Sequence, residues 1–252
     1  MWSNALRRVA IFAAAIAAWE LAFRLHLINP LIIGSPSLVI QAAIKDWRGF
    51  LDACGTTALE LVISIAISWS FGIVAGTALG AMRMLGAIAA PILSALIAIP
   101  LIVVYPLLLA WVGIGPESKI AFGVLSGVFP IALNTLIGVR ATDRAYAQMA
   151  TAFGATRLQL IVQVMLPLAM PAIISGLRIG TSMILIGVLV AEMLGAAAGL
   201  GFLISLNRTL FNTGAVYLGT LLALAMAVLI DAALSRLERH FGAWRPPIHS
   251  QA

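Results

Sequence analysis

The sequence predicts an all-α, polytopic membrane protein of six transmembrane helices, with a cytoplasmic docking loop between spans four and five. Three observations carry this. Of the 252 residues 62% are hydrophobic and only 10% charged, against about 25% charged in a soluble domain; mean hydropathy is +1.09. Polar groups cannot cover such a surface, so lipid must be its solvent. Apolar runs recur that are long enough to cross a hydrocarbon core of about 30 Å. One stretch between two such runs, 144–167, is polar enough to sit in water. Residues 1–252 read as a single transmembrane domain.

The first span, 9–28, follows Arg7 and Arg8 and contains Glu20 and Arg24, an i, i+4 pair with the acid first. A rival reading is a cleaved signal peptide cut after Ala15-Ile16-Ala17, but apolar residues continue well past that point. Residues 29–52 form a polar connection with one interfacial helix. Ser35 and Pro36 suit its cap and first position. Ile40, Ala43, Ile44, Trp47 and Leu51 would face lipid, and Gln41, Lys45, Asp46 and Arg48 water.

The second span is 56–82. Ser64, Ser68, Gly72, Gly76 and Gly80 recur every four residues, a spacing that lets another helix approach closely. The stripe winds slowly around a helix of 3.6 residues per turn, so it can serve more than one neighbour, within or between subunits. The third span, 88–112, holds Pro91, Pro100 and Pro106, and is expected to kink or break. Freed carbonyls must then face protein or water, which makes Pro100 and Pro106 candidate pathway residues; ordinary kinks are the alternative. Gly113–Ser118 is a tight loop.

The fourth span, 119–139, contains Pro130 and Asn134, the latter a further pathway candidate. The docking loop, 140–170, reads as two short amphipathic helices. Tyr146, Met149, Ala150 and Phe153 share one face. Gly154 follows as the helix stop. Thr156 and Gln159 form a capping box, and Leu158, Ile161, Val162 and Met165 repeat the apolar spacing. Pro167 is expected to end the pattern. The apolar face is too small for a core and too large for open water, so the loop reads as a part that docks onto something else.

The fifth span, 171–194, carries Arg178 near one end and Glu192 near the other. Glu192 is a candidate gate residue, or an interfacial acid held by the glycine-rich connection 195–214. Arg178 should snorkel, and Asp231 should pair locally in the sixth span, 215–234. Inner segments hold Arg7, Arg8, Arg83, Arg140, Arg144, Arg157, Arg236, Arg239 and Arg245. Outer segments hold Arg24, Lys45, Arg48, Lys119 and Arg208. This imbalance places both termini and the docking loop in the cytoplasm.

Several chemistries are excluded. The net charge is +6, but the basic residues are scattered singly, which argues against nucleic acid. Cys54 is the sole cysteine, so no intrachain disulfide or cysteine metal site can form. Neither Lys45 nor Lys119 follows glycine, so no phosphate-cradling loop exists. His26, His240 and His249 are dispersed, and no nucleophile has a nearby base. No cofactor, metal site or enzymatic activity is expected.

At the docking loop the sequence resembles the permease subunits of bacterial ABC importers. Their cytoplasmic signature is Glu-Ala-Ala, three residues, Gly, nine residues, Ile-x-Leu-Pro. Gln148, Met149, Ala150, Gly154, Val164, Leu166 and Pro167 occupy its positions, with Ala155 directly after the glycine. Gln148 and Met149 depart from the pattern, and glutamine could only hydrogen-bond where the family's acid can form an ion pair. Gly34-Ser-Pro-Ser37, Gly76–Gly80, Pro106–Gly115, Pro171–Arg178 and Ala191–Gly201 resemble the nitrate, sulfonate and taurine branch, over about 34–245. The resemblance implies a bacterial inner-membrane permease that pairs with a second copy of itself. A cytoplasmic ATPase would grip the docking loop, and an external binding protein would deliver a small solute. A membrane enzyme would need clustered polar residues at one membrane face, which are absent from the sequence. A self-sufficient secondary transporter or channel would leave the docking loop without a purpose.

Overall fold

The structure, a computed structural model, describes residues 2–27, 29 and 32–242; Ile28, Arg245 and His249 lie outside them. Among the described residues every regular element is helical. These are α1 (Trp2–Arg24), α2 (Pro36–Ala81), α3 (Arg83–Ala98), α4 (Tyr105–Val112), α5 (Pro116–Arg140), α6 (Arg144–Ala152), α7 (Arg157–Gly195), α8 (Leu200–Thr209) and α9 (Thr213–Gly242). Four of them, α2, α5, α7 and α9, are long and apolar enough to cross a membrane, and α3 with the following 101–112 makes a fifth if one bent span is counted. Contacts divide the chain into two units. One gathers the described residues up to Ala58 with Glu192–Ala225, the other Leu59–Ala191 with those from Met226 onward.

In the first unit Ser35 caps α2 as expected, its Oγ accepting from the Leu38 N–H at 3.3 Å. The interfacial helix does not run unbroken to Leu51. At Asp46 the backbone leaves the helical region (φ −141°, ψ 45°), and its carboxylate accepts from the Gly49 N–H at 3.2 Å. Aspartate competes for nearby backbone donors, so it ends one helix and caps the next within α2. Glu20 accepts from Arg24 Nε at 2.8 Å and from the Ser37 N–H at 3.1 Å, which fastens α1 to the start of α2. Trp19 packs against Tyr217 of α9, ring centroids 5.7 Å apart. The glycine-rich connection is not wholly irregular, because it contains α8.

In the second unit α5 is packed on two sides. The small-residue stripe of α2 lies along it for its whole length. Ser64 donates to the Ile120 carbonyl at 3.3 Å and Ser68 to the Val124 carbonyl at 3.4 Å. A Cβ on Gly72, Gly76 or Gly80 would press on Ile131, Thr135 or Val139. The stripe therefore serves one neighbour, within the chain. The other side of α5 meets α7: Gly127 approaches Gly180 and Ile184, and Gly138 approaches Ala169 and Ala172. Close backbones maximise dispersion contact where no hydrophobic force drives association. Ile131, Val139, Ala169, Ile173 and Leu177 close this core.

The third span breaks as its prolines require. α3 ends at Ala98, a 3₁₀ turn covers Leu101–Val103, and the axis bends by 72° before 112. Pro100 stands in the break and Pro106 within the first turn of α4, where a missing N–H costs nothing. Pro167 does not end its helix, and Pro171 does not start one, because α7 runs through both. Residues Leu160–Met165 just before Pro167 form a π-helical turn, closed by the Leu166 N–H bonding back to the Ile161 carbonyl. This wider winding removes the clash between the proline ring and the carbonyl four residues earlier.

Candidate functional site

The docking loop is built by caps. Asp143 accepts from the Ala145 N–H at 2.9 Å and starts α6, a cap that the sequence reading missed. At the other end Gly154 takes φ +82°. Its N–H bonds to the Thr151 carbonyl and the Ala155 N–H to the Ala150 carbonyl, each at 3.0 Å, the paired bonds of a glycine-terminated helix. Ala150 and Ala155 thus sit at the closing positions of this turn. The Thr156–Gln159 capping box is present, with bonds of 2.8 and 3.3 Å. Between these fixed points Tyr146, Met149 and Phe153 are exposed, Phe153 at 87%. Gln148 is also exposed.

The rest of the signature behaves differently. Met165 and Leu166 pack against the α5–α7 core, Val164 is half-buried and Pro167 is exposed. This half anchors the loop to the helices, while 146–153 stands free of the core.

The pathway candidates separate. Beside the break at Pro100 lies an apolar cleft of about 290 Å³. Ile99 and Ile102 from the break, Phe122 and Phe129 from α5, and Met183 and Ile186 from α7 line it. Asn134 turns away: its amide donates to the Pro130 carbonyl at 2.8 Å, and its Cβ faces Gly176. Pro106 follows Tyr105, which is buried against Phe122 at 5.0 Å between ring centroids. Glu192 belongs to the first unit and is 1% exposed. It accepts from the Thr57 hydroxyl and from the Gly201 N–H, both at 2.7 Å, while Thr57 Oγ accepts from the Leu200 N–H at 2.8 Å. Carboxylate and hydroxyl together cap the N-terminus of α8, where a negative group is favoured.

Three ion pairs, at two places, were not foreseen. Lys119, read as an outer-segment cation, is buried and paired with Glu60 of α2. Arg178, read as snorkelling, reaches Asp231 at 2.7 Å and Glu238 at 3.4 Å on α9, so Asp231 pairs with another helix and not locally. A signal for the first pair was available, since Glu60 precedes Ser64 by four residues and continues the phase of the stripe.

Comparison with known proteins decides what this architecture is. Residues 70–243 match the family described as binding-protein-dependent transport system inner membrane component. The chain belongs to this family of ABC transporter permeases. The permease is 29% identical over 243 residues to the taurine transport system permease protein of Escherichia coli, covering 94% of this chain and 88% of that one. It is equally similar, 29% over 243 residues, to the formylaminopyrimidine transport permease protein of Halalkalibacterium halodurans, covering 96% and 97%. A structure of the MetNI methionine ABC transporter, in an inward-facing conformation, shares the fold with a TM-score of 0.61 at 21% identity, over 77% of this chain and 94% of that chain.

Proposed function

We propose that the permease forms half of the translocation path of an ATP-driven importer and that its 140–170 loop is the coupling element. The observation that carries this is the exposed apolar face of α6, with Tyr146, Met149 and Phe153 presented on a helix capped at both ends. A mobile loop would lose entropy on docking, whereas a capped helix has already lost it. Gln148, Met149, Ala150, Gly154 and Ala155 belong to the part offered to an ATPase subunit. Val164, Leu166 and Pro167 carry the movement along α7. The chain acts as one permease domain of six spans, α1 and the bent α3–α4 pair included, with both termini in the cytoplasm. Two copies assemble in the bacterial inner membrane. A binding protein delivers a small organic solute, in keeping with the taurine, formylaminopyrimidine and sulfonate permeases among its relatives.

The test is co-purification with the cognate ATPase. Gly154→Val forces a β-branched residue to φ +82°, at about 1–2 kcal/mol. Nothing lies within 4 Å of the added Cβ, so the cost is confined to the turn. Expression should stay near normal, while ATPase association and its stimulation by the binding protein fall several-fold. Unchanged association and stimulation would count against the coupling role.

A further inference from the structure

The contact between α2 and α5 has a property that follows from its regularity. Ser64 meets the carbonyl of Ile120 and Ser68 that of Val124, each 56 residues on. Cβ atoms added to Gly72, Gly76 and Gly80 would press on the carbonyls of Val128, Ala132 and Leu136, the same separation again. The helices therefore run parallel, with five rungs at a strict four-residue period. Such a ladder is nearly self-similar. Sliding α2 by four residues, about 6 Å, so that Ser68 takes the place of Ser64, puts a serine or glycine at four of the five rungs and a serine hydroxyl again at the Ile120 carbonyl; only the Gly80 rung, at the end of α2, is left without a small residue of the stripe. Small residues make close approach possible, but they do not choose among registers.

One rung is unlike the others. Glu60 continues the four-residue phase toward the N-terminal side of the stripe, and its carboxylate pairs with Lys119. Both side chains are buried, at 3–4% exposure. A long helical side chain leans toward the N-terminus of its helix, so Lys119 reaches back toward Glu60. Sliding by one turn would separate the two charges inside the protein, which is costly in a dry environment. We propose that the Glu60–Lys119 pair is a register lock: it selects one alignment of α2 on α5 from the several that the small-residue ladder permits. The pair positions the helices. It recruits no solute and takes no part in coupling.

The lock is read by disulfide trapping in membranes containing the full-length chain, with Cys54→Ala as background. A Cβ on Gly123 would stand 3.2 Å from Ser64 Cβ and 2.8 Å from Val188 Cγ2, so Ser64→Cys with Gly123→Cys, and Val188→Ala to make room, reports the native register. Ser68→Cys with Gly123→Cys in the same background reports the alignment slipped by one turn, since Ser68 would then take the place of Ser64. With the ion pair intact, the native reporter should form at least tenfold faster than the slipped one. With Glu60→Leu and Lys119→Leu, which preserve burial without charge, the slipped reporter should rise at least fivefold. Reversal of the pair, Glu60→Lys with Lys119→Glu, should return it to the original level. If the leucine pair leaves only the native reporter, or the slipped one forms as readily with the ion pair intact, the lock is refuted. Should the leucine chain fail to accumulate, Glu60→Gln with Lys119→Met is read by the same two reporters.

Discussion

Glu192 shows how one carboxylate can carry two readings. From the sequence it is an acid near a span end beside a glycine-rich segment, which suits a gate and a cap equally. Its oxygens take Thr57 and the Gly201 N–H, which makes it a cap for α8. The partners lie 135 and 9 residues away, so local pattern could show only the nearer one. Two predictions separate the roles. Glu192→Gln loses acceptor capacity in a buried site, at about 1–3 kcal/mol. A cap predicts a lower thermal midpoint in detergent; a gate predicts altered transport at an unchanged midpoint. Gly199 is the second test. It has φ +109°, and an added Cβ would fall on the Glu192 carboxylate. Gly199→Ala should lower the midpoint by several degrees, on the order of 2–4 °C per kcal/mol. Gly55→Ala, in α2 with nothing within 4 Å of the added Cβ, should raise it slightly, by about 0.5–1 kcal/mol in stability. Equal effects at the two glycines would mean that the α8 cap does not bear on folding.

At the scale of elements, what was legible was local. The Ser35 cap, the Gly154 stop and the Thr156–Gln159 box each depend on residues within a few positions, and each is present. The break at Pro100 was legible because proline lacks an N–H and crowds the preceding turn, although Pro91, Pro130 and Pro171 lie inside continuous helices. Pro167 misled for an instructive reason: its rule assumes α-helical winding, and the preceding π turn changes that winding. The caps of the docking loop, Asp143 on α6 and Thr156 on the start of α7, give a further prediction. Each contributes about 1 kcal/mol, so Asp143→Ala with Thr156→Ala should cost about 2 kcal/mol locally, roughly a thirtyfold rise in opening. Hydrogen exchange across 144–159 should accelerate by that factor, while exchange in the α5 core stays fixed, since its packing involves neither cap. Acceleration spread evenly over both regions would show that α6 is not an independent element.

For the whole molecule, long apolar helices were read from composition alone, but their number depends on α1. Arg7, Arg8, Glu20 and Arg24 fall within its 23 residues, and it is not among the helices that qualify as spans by length and apolarity. From Arg8 to Arg24 an α-helix rises about 24 Å, short of a hydrocarbon core of about 30 Å. Arginine side chains at both ends can extend outward and make up the difference. Arg24 is suited to this at 71% exposure, and Glu20, bonded to it, keeps that acid from standing alone. We therefore predict that α1 crosses the membrane with its N-terminus in the cytoplasm, on the side of the docking loop. Cysteines replacing Thr142 and Asn207 should react with an impermeant reagent from opposite sides. In intact cells only the Asn207→Cys chain should be labelled, and an N-terminal tag should resist external protease. A tag cleaved from outside, with the two cysteines still on opposite sides, would leave five crossings and place α1 flat at the outer surface. The Glu20 contacts to Arg24 and Ser37 would then serve to hold an interfacial helix.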